Sequence, residues 1–207
     1  MPRGYADRMT ESAGSAERLW DRTRRSVQAE IAQVAMDLFL RKGFDRTTID
    51  EIVAVAGVSR RSFFRYFGTK EDIVLGDLAD EGAKVSAELA KRPDEEDLWT
   101  ALRSAILAVG DAEEDDERTL AVARMMYGSP SLRARSIEKH LRWQSDLLPE
   151  VRRRLGPPEE TADLRAAAVV ASAITCLDVA GEAWTRAGAD RPLAVYFTEA
   201  LDAVHRG

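Results

Sequence analysis

The run Ser59-Arg60-Arg61-Ser62-Phe63-Phe64-Arg65-Tyr66 concentrates three guanidinium groups, two hydroxyls and a phenol in one short stretch. A guanidinium fork fits the O6 and N7 edge of guanine as well as phosphate oxygens, and short hydroxyl side chains donate to phosphates at close range. The chemistry is therefore polar recognition of nucleic acid rather than bond making. On a helix, Arg60, Arg61, Phe64 and Arg65 share one face, while Phe63 and Phe67, four apart, share the other. Ser59 is a good N-cap for that helix. Thr48 and Lys70 stand at the starts of the flanking helices, where free amides also favour a phosphate. Arg25, Thr48 and Lys70 are thus read as positioning contacts, and Arg60 and Arg61 as the source of sequence discrimination.

These groups need elements that hold them. Val27, Ile31, Val34 and Leu38, with Phe39 beside them, keep helical spacing, so a helix is expected from about Thr23 to Lys42, stopped by Gly43. Thr48-Ile49-Asp50-Glu51 has the form of a capping box, which starts a short helix at Ile49. That helix ends at Gly57, whose missing Cβ permits a left-handed turn. Two short helices around Ala56-Gly57-Val58-Ser59 make a helix-turn-helix, the arrangement that carries its second helix into a major groove. Thr69 caps a fourth helix, with Glu71 and Asp72 in its first turn.

Charge supports this division. The chain has 207 residues and a formal net charge of −6. Residues 1–70 carry 13 Lys+Arg against 9 Asp+Glu, and residues 71–207 carry 17 against 27. A net of +4 is thus joined to a net of −10, as expected of a nucleic-acid-facing end on an acidic body. Three segments follow: a flexible arm over 1–21, a helix-turn-helix domain over 22–70, and an effector-binding and dimerisation domain over 71–207. The fold class is all-α, with about nine helices. The most apolar stretch, Ala166 to Ala180, is interrupted by Ser172, Thr175 and Asp178, so no membrane span is expected, and the first residues show no secretory signal. A cytoplasmic protein is the expectation. With one cysteine and two histidines, a disulfide scaffold and a structural zinc site drop out by composition, and no metal or other cofactor is expected. Glu113-Glu114-Asp115-Asp116-Glu117 is contiguous and lacks the alternation of a calcium loop, so it reads as a solvated loop leading into a helix.

In the acidic part, Pro93, Gly128-Ser129-Pro130, Gly156-Pro157-Pro158 and Gly188 bound five or so helices. The helix from about Thr161 to Ala187 has two apolar faces. Val170, Ile174, Leu177, Gly181 and Trp184 suit the domain's own core. Val169, Ala173, Cys176, Ala180, Ala183 and Ala187 are small enough to admit another helix closely, and the final helix offers Leu193, Phe197 and Leu201. These two helices are expected to form a four-helix interface between two copies, because recognition helices on a palindrome must lie about 34 Å apart under twofold symmetry. His140, between Lys139 and Leu141, reads as a surface residue.

The stretch Ala35-Met36-Asp37-Leu38-Phe39, then Gly43-Phe44, Thr47-Thr48-Ile49, Ile52, Ala56-Gly57-Val58-Ser59, Phe63-Phe64, Tyr66-Phe67 and Lys70-Glu71, resembles the DNA-binding domain of the tetracycline-repressor (TetR) family of bacterial regulators. The resemblance implies that Thr48 and Lys70 hold the DNA backbone and that Arg60, Arg61, Ser62, Phe64, Arg65 and Tyr66 lie on the recognition helix. Two departures stand out: Arg61 replaces a small residue and Phe64 replaces a tyrosine. In the second half, Arg124-Met125-Met126, Ser129-Pro130-Ser131-Leu132-Arg133-Ala134-Arg135-Ser136, Trp143 and the Ala-rich helix ending in Trp184 resemble the subgroup with an acyl-CoA-like ligand-binding domain. That implies an apolar pocket drawn from Trp99, Ile106, Met125, Met126, Tyr127, Trp143, Leu147, Ile174 and Leu177, with Arg103 or Arg124 meeting an anionic head group. The implied function is a ligand-responsive repressor that binds a palindromic operator in double-stranded DNA as a homodimer and is released by a small apolar or acyl-CoA-like effector. A constitutive DNA-binding dimer without an effector is the alternative. No Gly-rich phosphate loop, His-Glu-x-x-His or nucleophile elbow suggests an enzyme.

Overall fold

The computed structural model describes the backbone of residues 4–76, 78–110, 117–157 and 159–205, and the side chains from residue 22 onward except 78–80 and 159. The described residues form ten α-helices and one 3-10 turn, with no strand. They divide into two compact units, Met1–Ile73 and Val74–Gly207. The division thus falls after Ile73 rather than after Lys70.

In the first unit, α1 (Gly4–Lys42) is followed by α2 (Ile49–Ala56) and α3 (Arg60–Tyr66), and α4 (Glu71–Leu75) crosses the boundary. Ile31, Ala35 and Phe39, each four apart, are the buried residues among the described side chains of α1, while Val27, Val34 and Leu38 are half-buried. They pack with Phe44, Ile52, Val53, Phe63 and Phe67, and the rings of Phe39 and Phe44 lie 4.9 Å apart. The expected arm over residues 1–21 is helical backbone from Gly4 onward. Nothing between Gly4 and Lys42 breaks a helix strongly, and once a packed segment has nucleated one, extension costs little per residue. The side chains before Arg22 lie outside the described residues.

The second unit comprises α5 (Leu78–Ala90), α6 (Leu98–Val109), α7 (Glu117–Gly128), α8 (Pro130–Leu155), the 3-10 turn Glu159–Thr161, α9 (Ala162–Ala187) and α10 (Leu193–His205). The acidic loop expected over Glu113–Asp116 lies outside the described residues, and Glu117 opens α7. The core is built from Val85 and Leu89 on α5, Leu102 and Ile106 on α6, Trp143, Leu147 and Val151 on α8, Val170 and Ile174 on α9, and Phe197 and Leu201 on α10. Burying each such side chain contributes about 1.5–3 kcal/mol. Helix α9 satisfies the length and apolarity of a membrane span, with a mean hydropathy of 1.6 over its most apolar window, where the sequence reading expected none. A core helix meets the same criterion, and Ala166, Val170, Ala173, Ile174 and Trp184 are buried in this one.

The small-residue face of α9 is occupied within the chain. Ala173, Cys176 and Ala180 are buried, and Cys176 Sγ lies 3.4 Å from the Ala200 carbonyl of α10, to which it donates. Burial pushes the thiol's pKa up and keeps that proton in place. Phe197 and Leu201 are buried in the same core, Val169 and Leu193 pack against it half-buried, Ala183 is half-buried and Ala187 is exposed. Ala173, Cys176, Ala180, Phe197 and Leu201 are thus covered where α9 packs on α10 of its own chain, while Val169, Ala183, Ala187 and Leu193 keep accessible surface. Small side chains do let a helix approach closely, but their spacing does not say which chain supplies it. The apolar side chains that α8 and α9 leave exposed are Ile137, Leu141, Leu164 and Val179.

Candidate nucleic-acid interface and cavity

Local chemistry sets the angle between α2 and α3. Thr48 caps α2: its hydroxyl accepts from the Glu51 amide at 3.3 Å, while the Glu51 carboxylate accepts from the Thr48 amide at 2.9 Å. Lys42 bonds the same carboxylate, and with the Thr48 amide it holds the Glu51 pKa down at about 2. Gly57 takes φ 66°, the left-handed conformation, and Ser59 opens α3 by accepting from the Ser62 amide at 3.0 Å. Phe63 is fully buried and its ring lies 5.6 Å from that of Phe67. The opposite face must then point outward, and Arg60, Arg61, Phe64 and Arg65 are all exposed, Phe64 by 48%. Thr48→Ala should cost about 1 kcal/mol through loss of the cap. A drop of roughly 4–8 °C in the melting of the first unit, followed by circular dichroism, is the expected result.

The three arginines differ in their partners. Arg60 Nη1 donates to both carboxylate oxygens of Asp50, at 2.8 and 3.0 Å, so the first turn of α2 holds one edge of its fork. Arg65 lies over the Tyr66 ring at 5.0 Å and donates to its hydroxyl at 3.2 Å. Arg61 makes no hydrogen bond or ion pair with the described residues. Ser62 is half-buried and its hydroxyl accepts from Ser59 Oγ at 3.0 Å. Arg25 is exposed on α1. Lys70, expected as a phosphate contact, is engaged within its own unit. Its Nζ donates to the carbonyls of Phe44 at 2.9 Å and Thr47 at 3.2 Å and sits 4.3 Å from the centre of the Phe44 ring. It ties α4 to the loop before α2.

The second unit holds a half-open cavity of about 500 Å³. Helix α7 explains why space is left: it has no fully buried residue of its own, and Val122, Ala123, Met126 and Tyr127 line the cavity. Ile106 of α6, Trp143 of α8, and Leu177 and Trp184 of α9 line it as well. Ile106, Met126, Tyr127, Trp143 and Leu177 are thus brought together as expected. The other six are not on the wall. Leu147 and Ile174 are closed into the core, Trp99 stacks on His205 with ring centres 5.6 Å apart, and Met125 is half-buried on another side of α7. Arg124 is exposed, and Arg103 is half-buried one turn of α6 before Ile106. The arginine on the wall, among the described residues, is Arg118, exposed at the start of α7.

The polar part of the wall was not foreseen. Glu81, Ser136, His140 and Asp178 belong to it. His140 is buried rather than a surface residue, and its Nδ1 lies 3.0 Å from Asp178 Oδ2. Its place in the stripe Leu132, Ser136, His140, Trp143, Leu147 is the signal that marks it as inward. Tyr127 Oη packs on Gly181, where a Cβ would come within 2.1 Å of it. Burial, with the Asp178 and Glu182 carboxylates behind it, raises the pKa of this phenol and keeps it neutral.

A helix-turn-helix with an exposed basic second helix, in one chain with an all-helical unit that holds a cavity, defines a DNA-binding transcriptional regulator. Comparison with known proteins gives the family. Residues 31–76 match the model of bacterial regulatory proteins of the tetR family, and residues 96–207 match that of the MftR C-terminal domain. The chain is 31% identical, over 88% of its length and 89% of the relative's, to MftR of Mycobacterium tuberculosis, described as a regulator of mycofactocin biosynthesis. It is 28% identical to the regulator TcmR of Streptomyces glaucescens, over 94% and 90% of the two chains. Among solved structures, the TetR-family repressor FadR of Thermus thermophilus in complex with lauroyl-CoA superimposes with a TM-score of 0.52 at 25% identity, covering 84% of this chain and 91% of that one. The chain belongs to the TetR family, with an MftR-type C-terminal domain, and is a regulator rather than an enzyme.

Proposed function

We propose that the protein is a cytoplasmic repressor that binds a palindromic operator as a homodimer and is released by a small apolar or acyl-CoA-like effector. The cavity under α7 is the observation that carries the effector: at about 500 Å³, mostly apolar with a few convergent polar groups, it has the size and character of a ligand site. The lauroyl-CoA bound by the Thermus relative supports the same reading. An effector can shift the regulator only by the difference in its affinity for the DNA-bound and released states, so an apolar ligand that repositions α7 is a suitable lever. Arg25, Thr48 and Arg65 position the protein on phosphates, and Arg60 and Arg61, with Ser59, Ser62, Phe64 and Tyr66 beside them, face the bases.

For the dimer, the supporting surface is the one α8 and α9 leave open. These helices run antiparallel, Arg133 pairing with Glu182 at one end and Arg152 with Asp163 at the other, at 3.0 and 2.8 Å. Leu164, Ala168, Thr175 and Val179 keep helical spacing on α9 and are exposed, with Ile137 and Leu141 exposed on α8. The test is selection and sequencing of bound genomic fragments with the wild type and with Val179→Glu, with and without acyl-CoA esters, alongside light scattering. Palindromic fragments, a monomeric Val179→Glu variant and an operator affinity lowered by about 10²-fold are expected, since the two half-sites no longer act together. Fragments without a palindrome would remove the dimer, and fragments retained under every ester would remove acyl-CoA as effector.

A further inference from the structure

His140 is 9% exposed and lines the cavity from the inward stripe of α8, between Ser136 and Trp143. Its Nδ1 lies 3.0 Å from Asp178 Oδ2, and because a carboxylate accepts, Nδ1 is the nitrogen that carries the proton. The partner thereby sets the tautomer: on a neutral ring, Nε2 is left with a bare lone pair. Nε2 makes no hydrogen bond with the protein, yet it is not sealed in. Among the described residues, the buried side-chain nitrogens with neither a partner nor accessible surface are Arg135 Nε and Trp184 Nε1. Nε2 thus keeps surface of its own, and the space its side chain borders is the cavity. Asp178 on one side and the Trp143 ring, 5.7 Å away, on the other hold the imidazole in place. A fixed acceptor on a mostly apolar wall calls for a donor. The charged groups on that wall are Glu81, Asp178 and Arg118. An anion at Nε2 needs a second proton on the ring and lies close to Asp178, whereas Arg118, at the start of α7, offers it a different place. An ammonium would give up its hydration for one neutral acceptor, since Asp178 and Glu81 both have partners already. A hydroxyl needs neither concession and donates to the ring as it stands.

We propose that His140 is the polar anchor of the cavity, its Nε2 accepting a hydrogen bond from the hydroxyl of an otherwise apolar effector, a phenol or an alcohol. Asp178 is the positioning residue that keeps Nε2 the bare nitrogen. This rests on the effector reading above and names the group that the site recognises.

Probes on one frame separate the possibilities: 4-propylphenol, propylbenzene, 4-propylanisole, 4-propylbenzoate and 4-propylbenzylammonium, titrated calorimetrically into the full chain, His140→Phe and Asp178→Leu. The phenol should bind about 2–10-fold tighter than propylbenzene, the worth of one net hydrogen bond, and tighter by a similar factor than the anisole, which has the oxygen but no proton to give. It should also bind more tightly than either ion. These advantages should disappear in His140→Phe and shrink in Asp178→Leu. The chain has two histidines, His140 and His205, so imidazole 15N spectra resolve the ring directly. In mildly alkaline buffer His140 should show Nδ1 protonated and Nε2 bare, and its Nε2 signal should move upfield with the phenol and not with propylbenzene, a readout that does not depend on a variant folding. In Asp178→Leu the two tautomers should mix. A phenol no tighter than propylbenzene or the anisole, tighter binding of either ion, a single tautomer retained in Asp178→Leu, or an Nε2 signal indifferent to the phenol would overturn the proposal. Operator release is followed in parallel. Phenol binding with the imidazole signature but without release would refute the effector role and leave the cavity chemistry standing; release by acyl-CoA esters with an unchanged imidazole spectrum would leave the effector role and overturn the part given to His140.

Discussion

Phe63→Ala is expected to lower the stability of the N-terminal unit by about 3–5 kcal/mol and, at physiological temperature, to abolish operator binding. The size follows from position. Phe63 is fully buried and stands between Phe64 and Phe67, with ring centres 5.4 and 5.6 Å away. It is also the one fully buried residue of α3, a helix of seven residues that is too short to persist without packing. A small unit of the usual marginal stability retains little after such a loss. By circular dichroism, the melting of this unit should fall by at least about 10 °C while the transition of the second unit stays in place. Phe64→Ala is the control: with the ring 48% exposed, it should leave both transitions unchanged and weaken DNA binding only. A Phe63→Ala variant that melts and binds like the wild type would mean that α3 is held by something other than this aromatic cluster.

The parts of this molecule that could be read from sequence are those set by local chemistry. A capping box involves residues three apart, and a left-handed turn needs one glycine, so Thr48, Glu51 and Gly57 announce α2 and its end before any tertiary contact is known. The exposed face of α3 follows from Phe63 and Phe67 alone, because helical periodicity turns whatever is opposite outward. The cavity is different in kind. Met126 and Tyr127 show that α7 is apolar, but which apolar residues meet a void and which meet one another depends on six helices at once; Leu147 and Ile174 therefore read the same as Leu177 although they pack solidly. Charge led away from the site as well. Arg103 and Arg124 suggested a head group, whereas the polar residues on the wall include Glu81, Arg118, Ser136, His140 and Asp178. The small-residue face of α9 was ambiguous for a further reason. Ala173, Cys176 and Ala180 do admit a neighbouring helix, and the chain itself supplies it as α10.

Arg61→Ala and Lys70→Ala should separate recognition from support. Arg61 is exposed on α3 without a partner among the described residues, so removing it should leave the fold as it is and cost the complex one guanidinium. Loss of a base contact is expected to weaken the operator by about 1–3 kcal/mol per half-site and to relax preference at one position of each, leaving the melting curve unchanged. Lys70 has its ammonium on two carbonyls and an aromatic face. A phosphate contact would show as uniform weakening with a salt dependence shallower by about one. The geometry predicts otherwise: Lys70→Ala should lower the stability of the first unit by about 1.5–3 kcal/mol, since the hydrogen bonds lost carry a charge, and should leave the salt slope as it was. Footprints on randomised operators, binding across a salt series and thermal melts of both variants read these quantities apart. Uniform weakening by Arg61→Ala would move Arg61 to the phosphates, and a shallower salt slope in Lys70→Ala would mean that its ammonium leaves Phe44 and Thr47 for the DNA backbone.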